Sequence, residues 1–194
     1  RTGPETGTPA RHIRELRPLM FGDTAGFSRL REAMLRQYRK LFFGSIADTL
    51  REYGDDVLSS NSWGDAIYLV MAEPARAARC AIDIQENLHA IDFAAHGFER
   101  PLRLRLSLHY GPVFPGTDEL TGAHTYFGKE VTFAARMEPV TPPGEVYATE
   151  ELASQLALAG ETAVAADYVG TVELAKQYGT APMYLLRRAQ TAER

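Results

Sequence analysis

The chain is predicted to form an α+β domain on a ferredoxin-like βαββαβ core, an antiparallel sheet with two helices on one face and additional C-terminal strands and helices. Three observations predict it. Four apolar or alternating segments (residues 16–21, from 57, 66–71 and 102–109) are interleaved with two segments of helical spacing, in the order strand–helix–strand–strand–helix–strand. The 194 residues suit one compact unit. A composition that is 45% hydrophobic and 24% charged supplies an ordinary core.

Residues 16–21 (LRPLMF) read as a short buried strand ended by Gly22. Leu30, Met34, Tyr38, Leu41, Ile46, Leu50 and Tyr53 recur at near-helical spacing, which predicts one long amphipathic helix over residues 28–53. A second strand begins at Val57-Leu58 and a third spans residues 66–71 (AIYLVM). Between them Asn61-Ser62-Trp63-Gly64-Asp65 reads as the turn of a β-hairpin. Pro74 opens a second helix with Ala81, Ile84, Leu88 and Ile91 on its buried face. Residues 102–109 (LRLRLSLH) alternate like a half-buried strand, which Gly111-Pro112 is expected to break. Residues 127–138 read as a short helix, and Pro142-Pro143-Gly144 as a rigid turn into a strand at 145–148. A helix at 150–158, a strand near 165–170 and a last strand at 183–186 complete the chain, without internal repeats.

A net charge of −4 argues against a general nucleic-acid binder, which needs a basic surface. The single cysteine, Cys80, excludes an internal disulfide framework and fits a reducing compartment, so a cytoplasmic location is expected. It falls inside a helix and reads as a buried small hydrophobe. No apolar run is long enough to cross a bilayer. Because the chain begins with Arg, it is expected to be part of a longer protein: residues 1–11 a linker, 12–188 the folded domain, 189–194 a tail. His109, on an apolar strand, reads as structural, and the other histidines lack metal-ligand spacing.

The chemistry concentrates where apolar runs break at glycines. Asp23 closes the first strand and Asp65 lies in the hairpin joining strands two and three. A βαββαβ sheet can make those strands neighbours; the carboxylates would then repel unless two Mg²⁺ or Mn²⁺ ions lay between them. One such ion can acidify an attacking hydroxyl while the other holds departing phosphates. Taken singly, each Asp is as readily a turn or cap residue. Thr24-Ala25-Gly26-Phe27-Ser28 then runs into the helix, where amides and a glycine could seat phosphate, or could form a plain loop capped near Ser28. Thr132 and Arg136 lie four apart on one helical face, where the Arg could neutralise a transferring phosphoryl group or simply pair with Glu138.

These motifs, in this order, resemble the catalytic domain of the class III nucleotidyl cyclases, the adenylate and guanylate cyclase family, in its bacterial type, over residues 12–188. The pattern F-x-D-x-x-G-F-[ST] is met by Phe21, Asp23, Gly26, Phe27 and Ser28, and G-D before an apolar strand by Gly64-Asp65. H-x-G-P-V is intact from His109 to Val113. The helix pattern G-x-x-V-x-x-A-x-R-[ML]-E is met by Gly128, Val131, Ala134, Arg136, Met137 and Glu138, followed by Pro143-Gly144-Glu145-Val146. The resemblance implies a homodimer with its sites at the interface and regulatory domains elsewhere in the full-length chain. Asp23 and Asp65, with the carbonyl of Thr24, would hold two metals, and amides of Ala25, Gly26, Phe27 and Ser28 would bind the triphosphate. Arg136 would reach across from the partner subunit, and Lys176 falls where the family has a phosphate-contacting lysine, although its flanking glycines differ. The reaction implied is attack of the ribose 3′-oxygen on the α-phosphorus, giving a 3′,5′-cyclic nucleotide and pyrophosphate.

Three positions depart from the family. Asn61 stands where purine cyclases carry a base-reading Lys or Glu, and Thr125 where they carry Asp or Cys, although some bacterial adenylate cyclases have Thr there. Thr132 stands where an Asn orients the ribose. An Asn amide both donates and accepts, so Asn61 chooses no base by itself. Thr125 and the family favour ATP. A pyrimidine cyclase (UTP or CTP) like those of antiphage signalling is the alternative, as is a degenerate domain that binds nucleotide or dimerises. Trp63, beside Asp65, is expected to pack at the dimer interface, or else to narrow the pocket. An RNA-binding domain would need a basic face and surface aromatics on the sheet, which the sequence does not supply.

Overall fold

Leu19, Met20 and Phe21 are buried in succession, so the strand that carries them needs cover on both faces. The computed structural model describes residues 13–190, and there this strand, β1 (Glu15–Ala25), is paired on both edges as well. It runs antiparallel to β3 (Ala66–Met71) on one side and β4 (Arg103–Thr117) on the other, and β2 (Val57–Trp63) flanks β3. The order β2-β3-β1-β4 is the ferredoxin-like core, as expected. β4 then pairs in parallel with β6 (Val146–Thr149), and the sheet continues through β8 (Thr180–Arg188) to β7 (Val164–Glu173).

The alternation of side chains sorts β1 between two cores. Met20 joins Leu69, Leu104, Leu106 and Leu108 beneath α2 (Gly44–Tyr53) and α3 (Pro74–His89), with Leu152 and Leu156 of α5 (Glu150–Leu158) in the same cluster. Leu19 and Phe21 face the other way, against Tyr68, Val113 and Ala134 of α4 (Lys129–Met137). Each fully buried Leu or Phe contributes about 1.5–3 kcal/mol. Cys80 is buried within α3, where burial pushes its thiol up to about 12.

The structure corrects several boundaries. Residues 28–53 are not one helix. Leu30 and Arg31 are extended (ψ 134° and 140°), and α1 (Leu35–Tyr38) is joined to α2 by a π-helical stretch, Arg39–Phe43. The widened turn has a reason in the aromatics: Tyr38 stacks on Phe42, four residues on, and meets Phe43 edge-on, five residues on. An i to i+5 contact is the spacing of a π-turn. The hairpin turn shrinks to Gly64-Asp65, because Asn61, Ser62 and Trp63 all pair with β3. Gly111-Pro112 does not break β4, which continues to Thr117. Its second edge is paired only at 106–108 and 114–117, so a proline at 112 forfeits no ladder bond there. The far end of β4 pairs with a strand not anticipated, β5 (His124–Phe127), so the following helix starts at Lys129 rather than Phe127. The start of the domain at residue 12, the linker at 1–11 and residues 191–194 of the tail lie outside the described residues. No helix among those described is long and apolar enough to cross a membrane.

Candidate active site

Asp23 stands two residues before the end of β1, with Ala66 beside it on β3 and Arg105 on β4. The β2–β3 turn is fastened to the same place. The Thr24 amide and the Thr24 hydroxyl both donate to the Asp65 carbonyl, each at 3.2 Å. Tyr38 Oη lies 2.7 Å from Thr24 Oγ1, and since that hydroxyl's hydrogen points at Asp65, Tyr38 is the donor. A buried chain, Tyr38 to Thr24 to Asp65, therefore holds the two aspartates together. Their proximity registers electrostatically: burial first, then the charge of Asp65, raises the Asp23 carboxyl to about 6. Arg105 opposes the shift from 3.7 Å, too far for a close ion pair.

Arg105 also approaches Glu138, at 3.9 Å. Burial, and then the charge of Asp23, raises the Glu138 carboxyl to about 7, and its Oε1 is buried with no hydrogen-bond partner. Two acids facing one guanidinium, with Asp65 adding its charge to both, make this corner of the sheet a place for added positive charge. No three His, Cys, Asp or Glu side chains among the described residues form a closed ligand cage. Two carboxylates, a backbone carbonyl and open coordination positions fit hard divalent cations completed by water and phosphate oxygens.

The predicted phosphate loop leaves β1 at Ala25. Gly26 has φ +80°, and an added Cβ there would meet nothing within 4 Å, so the backbone is open to approach. Phe27 packs on Tyr38 with 5.1 Å between ring centroids, and Ser28 is exposed. The loop enters only one 3₁₀ turn, Phe27–Arg29, not the long helix expected. An anion here would be held by loop amides without the dipole of a long helix behind them.

Thr132 and Arg136 lie on α4, the first exposed, the second half-buried. Arg136 does not pair with Glu138, whose ion pair is with Arg105, and its Nε is buried without a partner. Lys176 is exposed in a tight turn at φ +59°, and Tyr178 of that turn packs against Phe133 of α4 at 6.2 Å. Thr125 is on β5 and Asn61 on β2, strands linked by Ser59 Oγ donating to the His124 carbonyl at 3.3 Å. Thus Asp23, Thr24, Asp65 and the loop form one cluster, α4 and the Lys176 turn a second, and Asn61 and Thr125 a third. No hydrogen bond or ion pair among the described residues joins Arg136, Lys176, Asn61 or Thr125 to either aspartate.

Arg105 and Tyr38 are the residues the sequence reading missed. The alternation LRLRLSLH marks Arg105 as polar-faced, and β1–β4 pairing in a βαββαβ sheet sets it beside Asp23 once the register is known. His109 is structural, as expected: it is buried, with Thr149 Oγ1 at 3.0 Å and Glu130 Oε2 at 2.8 Å. The glycine of H-x-G-P-V makes room for that pair, since a Cβ on Gly111 would stand 2.8 Å from His109 Nε2 and 2.9 Å from Glu130 Cγ. Trp63 is 55% exposed at the hairpin tip, with no ring partner among the described residues.

A family model described as adenylate and guanylate cyclase catalytic domain matches residues 17–188. An uncharacterized protein of Mycobacterium tuberculosis is 29% identical over 140 residues, 70% of this chain and 33% of that protein. The chain thus spans about a third of the length of the curated relatives it first matches. Among solved structures, the adenylyl cyclase CyaB from P. aeruginosa superposes with a TM-score of 0.78 at 17% identity, covering 93% of this chain and 98% of that one. The guanylate cyclase domain of RhGC from Catenaria anguillulae, solved in complex with GTP, gives 0.74 at 20% identity, covering 91% and 98%. At such identities the superpositions establish the fold.

Proposed function

Given that the chain belongs to the adenylate and guanylate cyclase catalytic domain family, we propose that it is an active nucleotidyl cyclase. It would convert a nucleoside triphosphate, ATP in preference, to the 3′,5′-cyclic nucleotide and pyrophosphate, with each site shared between two copies of the chain. The catalytic unit would run over residues 12–188. The observation that carries this reading is the fastening of Asp65 to β1 beside Asp23, which keeps two partly buried carboxylates adjacent at an electrostatic cost. A fold under no catalytic constraint has no reason to hold them so.

Asp23, Asp65 and the Thr24 carbonyl would hold two Mg²⁺ or Mn²⁺ ions, which supply Lewis-acid activation of the ribose 3′-hydroxyl and charge neutralisation on the leaving phosphates. The open backbone from Ala25 to Ser28 would take the triphosphate. Arg105, already within 3.7 Å of Asp23, would lie at the same phosphates. Arg136, whose Nε is buried without a partner among the described residues, would stabilise the charge that develops in the transition state from across the interface, with Lys176 beside it. Thr132 would orient the ribose by a hydroxyl, and Asn61 and Thr125 would read the base.

The test is turnover of ATP, GTP, CTP and UTP with Mn²⁺ at high protein concentration, with cyclic products identified by mass spectrometry. One cyclic product, absent in Asp65→Ala, is expected and names the base. No cyclic product from any of the four, in a sample verified to be dimeric, would sink the proposal in favour of a nucleotide-binding module.

A further inference from the structure

Where β1 gives way to the loop at Gly26, a cavity of about 540 Å³ opens between residues 25–34 and residues 97–105. Its floor is core: Phe98 and Leu102 are buried. Its walls carry Arg29, Arg31, Arg100 and Arg103 against one acid, Glu99. Arg31 leans toward Glu99 at 3.7 Å, an exposed pair of little strength. The side chains of Arg29, Arg100 and Arg103 make no hydrogen bond or ion pair among the described residues.

A chain of net charge −4 has thus gathered four guanidiniums on the walls of one concavity, with Arg105 a fifth at its inner end, and its lining holds a single carboxylate. Cations grouped this way repel each other, and a concavity of one sign concentrates its potential. Planar, forked guanidiniums match the paired oxygens of carboxylates and phosphates, and several together favour the anion with more charge. Three unpaired guanidiniums suit a group carrying three or four negative charges, not a monoanion. Arg105 and Gly26 line the inner end, so the cavity opens onto the loop assigned to the triphosphate, yet Arg29, Arg100 and Arg103 belong to none of the residues assigned to catalysis.

We propose that this cavity binds a polyphosphate group of diphosphate length or longer, next to the triphosphate seat. Two sources share that chemistry: the pyrophosphate the reaction releases, and the phosphates of a second nucleotide. Which of them matters rests on the cyclase reading; the binding itself does not. An occupied cavity would slow the forward reaction by setting negative charge beside the incoming triphosphate.

The experiment is calorimetric titration of the full chain with sodium pyrophosphate and, separately, with ATP. Both are done in EDTA so that the aspartate site has no metal with which to compete, and sulfate serves as control. Pyrophosphate is expected to bind, with Arg100→Glu/Arg103→Glu weakening it about tenfold or more. Glu99→Gln is expected to tighten it, a gain that misfolding cannot mimic. If ATP binds more tightly than pyrophosphate and is equally sensitive to Arg100→Glu/Arg103→Glu, the second nucleotide is the ligand. Pyrophosphate binding that is absent in EDTA, equalled by sulfate, or indifferent to all three substitutions overturns the proposal. Turnover without arginine-dependent binding refutes the cavity alone; arginine-dependent binding without turnover refutes the cyclase reading alone.

Discussion

Asp23 and Glu138 keep their protons in the folded chain to a pH at which ordinary carboxyls have lost them, about 6 and about 7. In the unfolded chain both titrate near about 4. The folded state therefore binds more protons than the unfolded state between these limits, and its stability falls as pH rises through them. Without divalent metal, the melting temperature is expected to be higher near about pH 5 than near about pH 8. Asp23→Asn or Glu138→Gln should each flatten that slope, as followed by scanning calorimetry. Added Mn²⁺ should restore the loss at the higher pH, because a cation takes the place of the displaced protons. A slope in both variants as steep as that of the unsubstituted chain would mean that the acids are not crowded.

At the scale of elements, the notable tie is the one from α1 through β1 to the β2–β3 turn. Thr24→Val removes a hydroxyl that serves as both donor and acceptor, and leaves Tyr38 Oη buried without its partner. A stability loss of about 1–3 kcal/mol is expected, with weaker Mn²⁺ binding measured by EPR. Tyr38→Phe should do the same, and the double variant should lose less than the sum, because both act on one chain of hydrogen bonds. Additive losses would show that the chain does not act as a unit. Sequence could not have supplied this tie, because Tyr38 falls on the apolar stripe and reads as core. For the same reason residues 28–53 look continuous: the π stretch and the extended Leu30-Arg31 preserve the apolar recurrence while changing the backbone. β5 is only HTYF, too short and polar to announce itself, and is a strand because β4 carries on past Pro112 to meet it. The aspartates were legible because each follows a glycine beside an apolar strand, Asp23 after residues 16–21 and Asp65 before residues 66–71. Arg105 was not, because its neighbour is set by cross-strand register rather than by spacing along the chain.

For the whole molecule, the separation of Arg136 from Asp23 and Asp65 has a direct test. If each site draws its metal acids from one copy and its arginine from the other, Asp65→Ala and Arg136→Ala, each inactive alone, should restore activity when mixed under subunit exchange. Half the dimers would then be mixed, each with one intact site of two, giving about a quarter of wild-type turnover. No recovery, with mixed dimers demonstrated by differential tagging, would rule out a shared site.

The position of β1 between two partners far apart in sequence also sets an order of events during synthesis. Its first edge can be covered once residues 66–71 have emerged, but its second waits for residues 103–117. A nascent chain that has built β2, β3 and β1 carries both aspartates on a half-finished sheet with one raw hydrogen-bonding edge, flanked by Leu19, Met20 and Phe21. Such an edge recruits whatever strand arrives first. The strand that brings the arginine to Asp23 is thus also the one that shields the growing polypeptide from its neighbours on the ribosome.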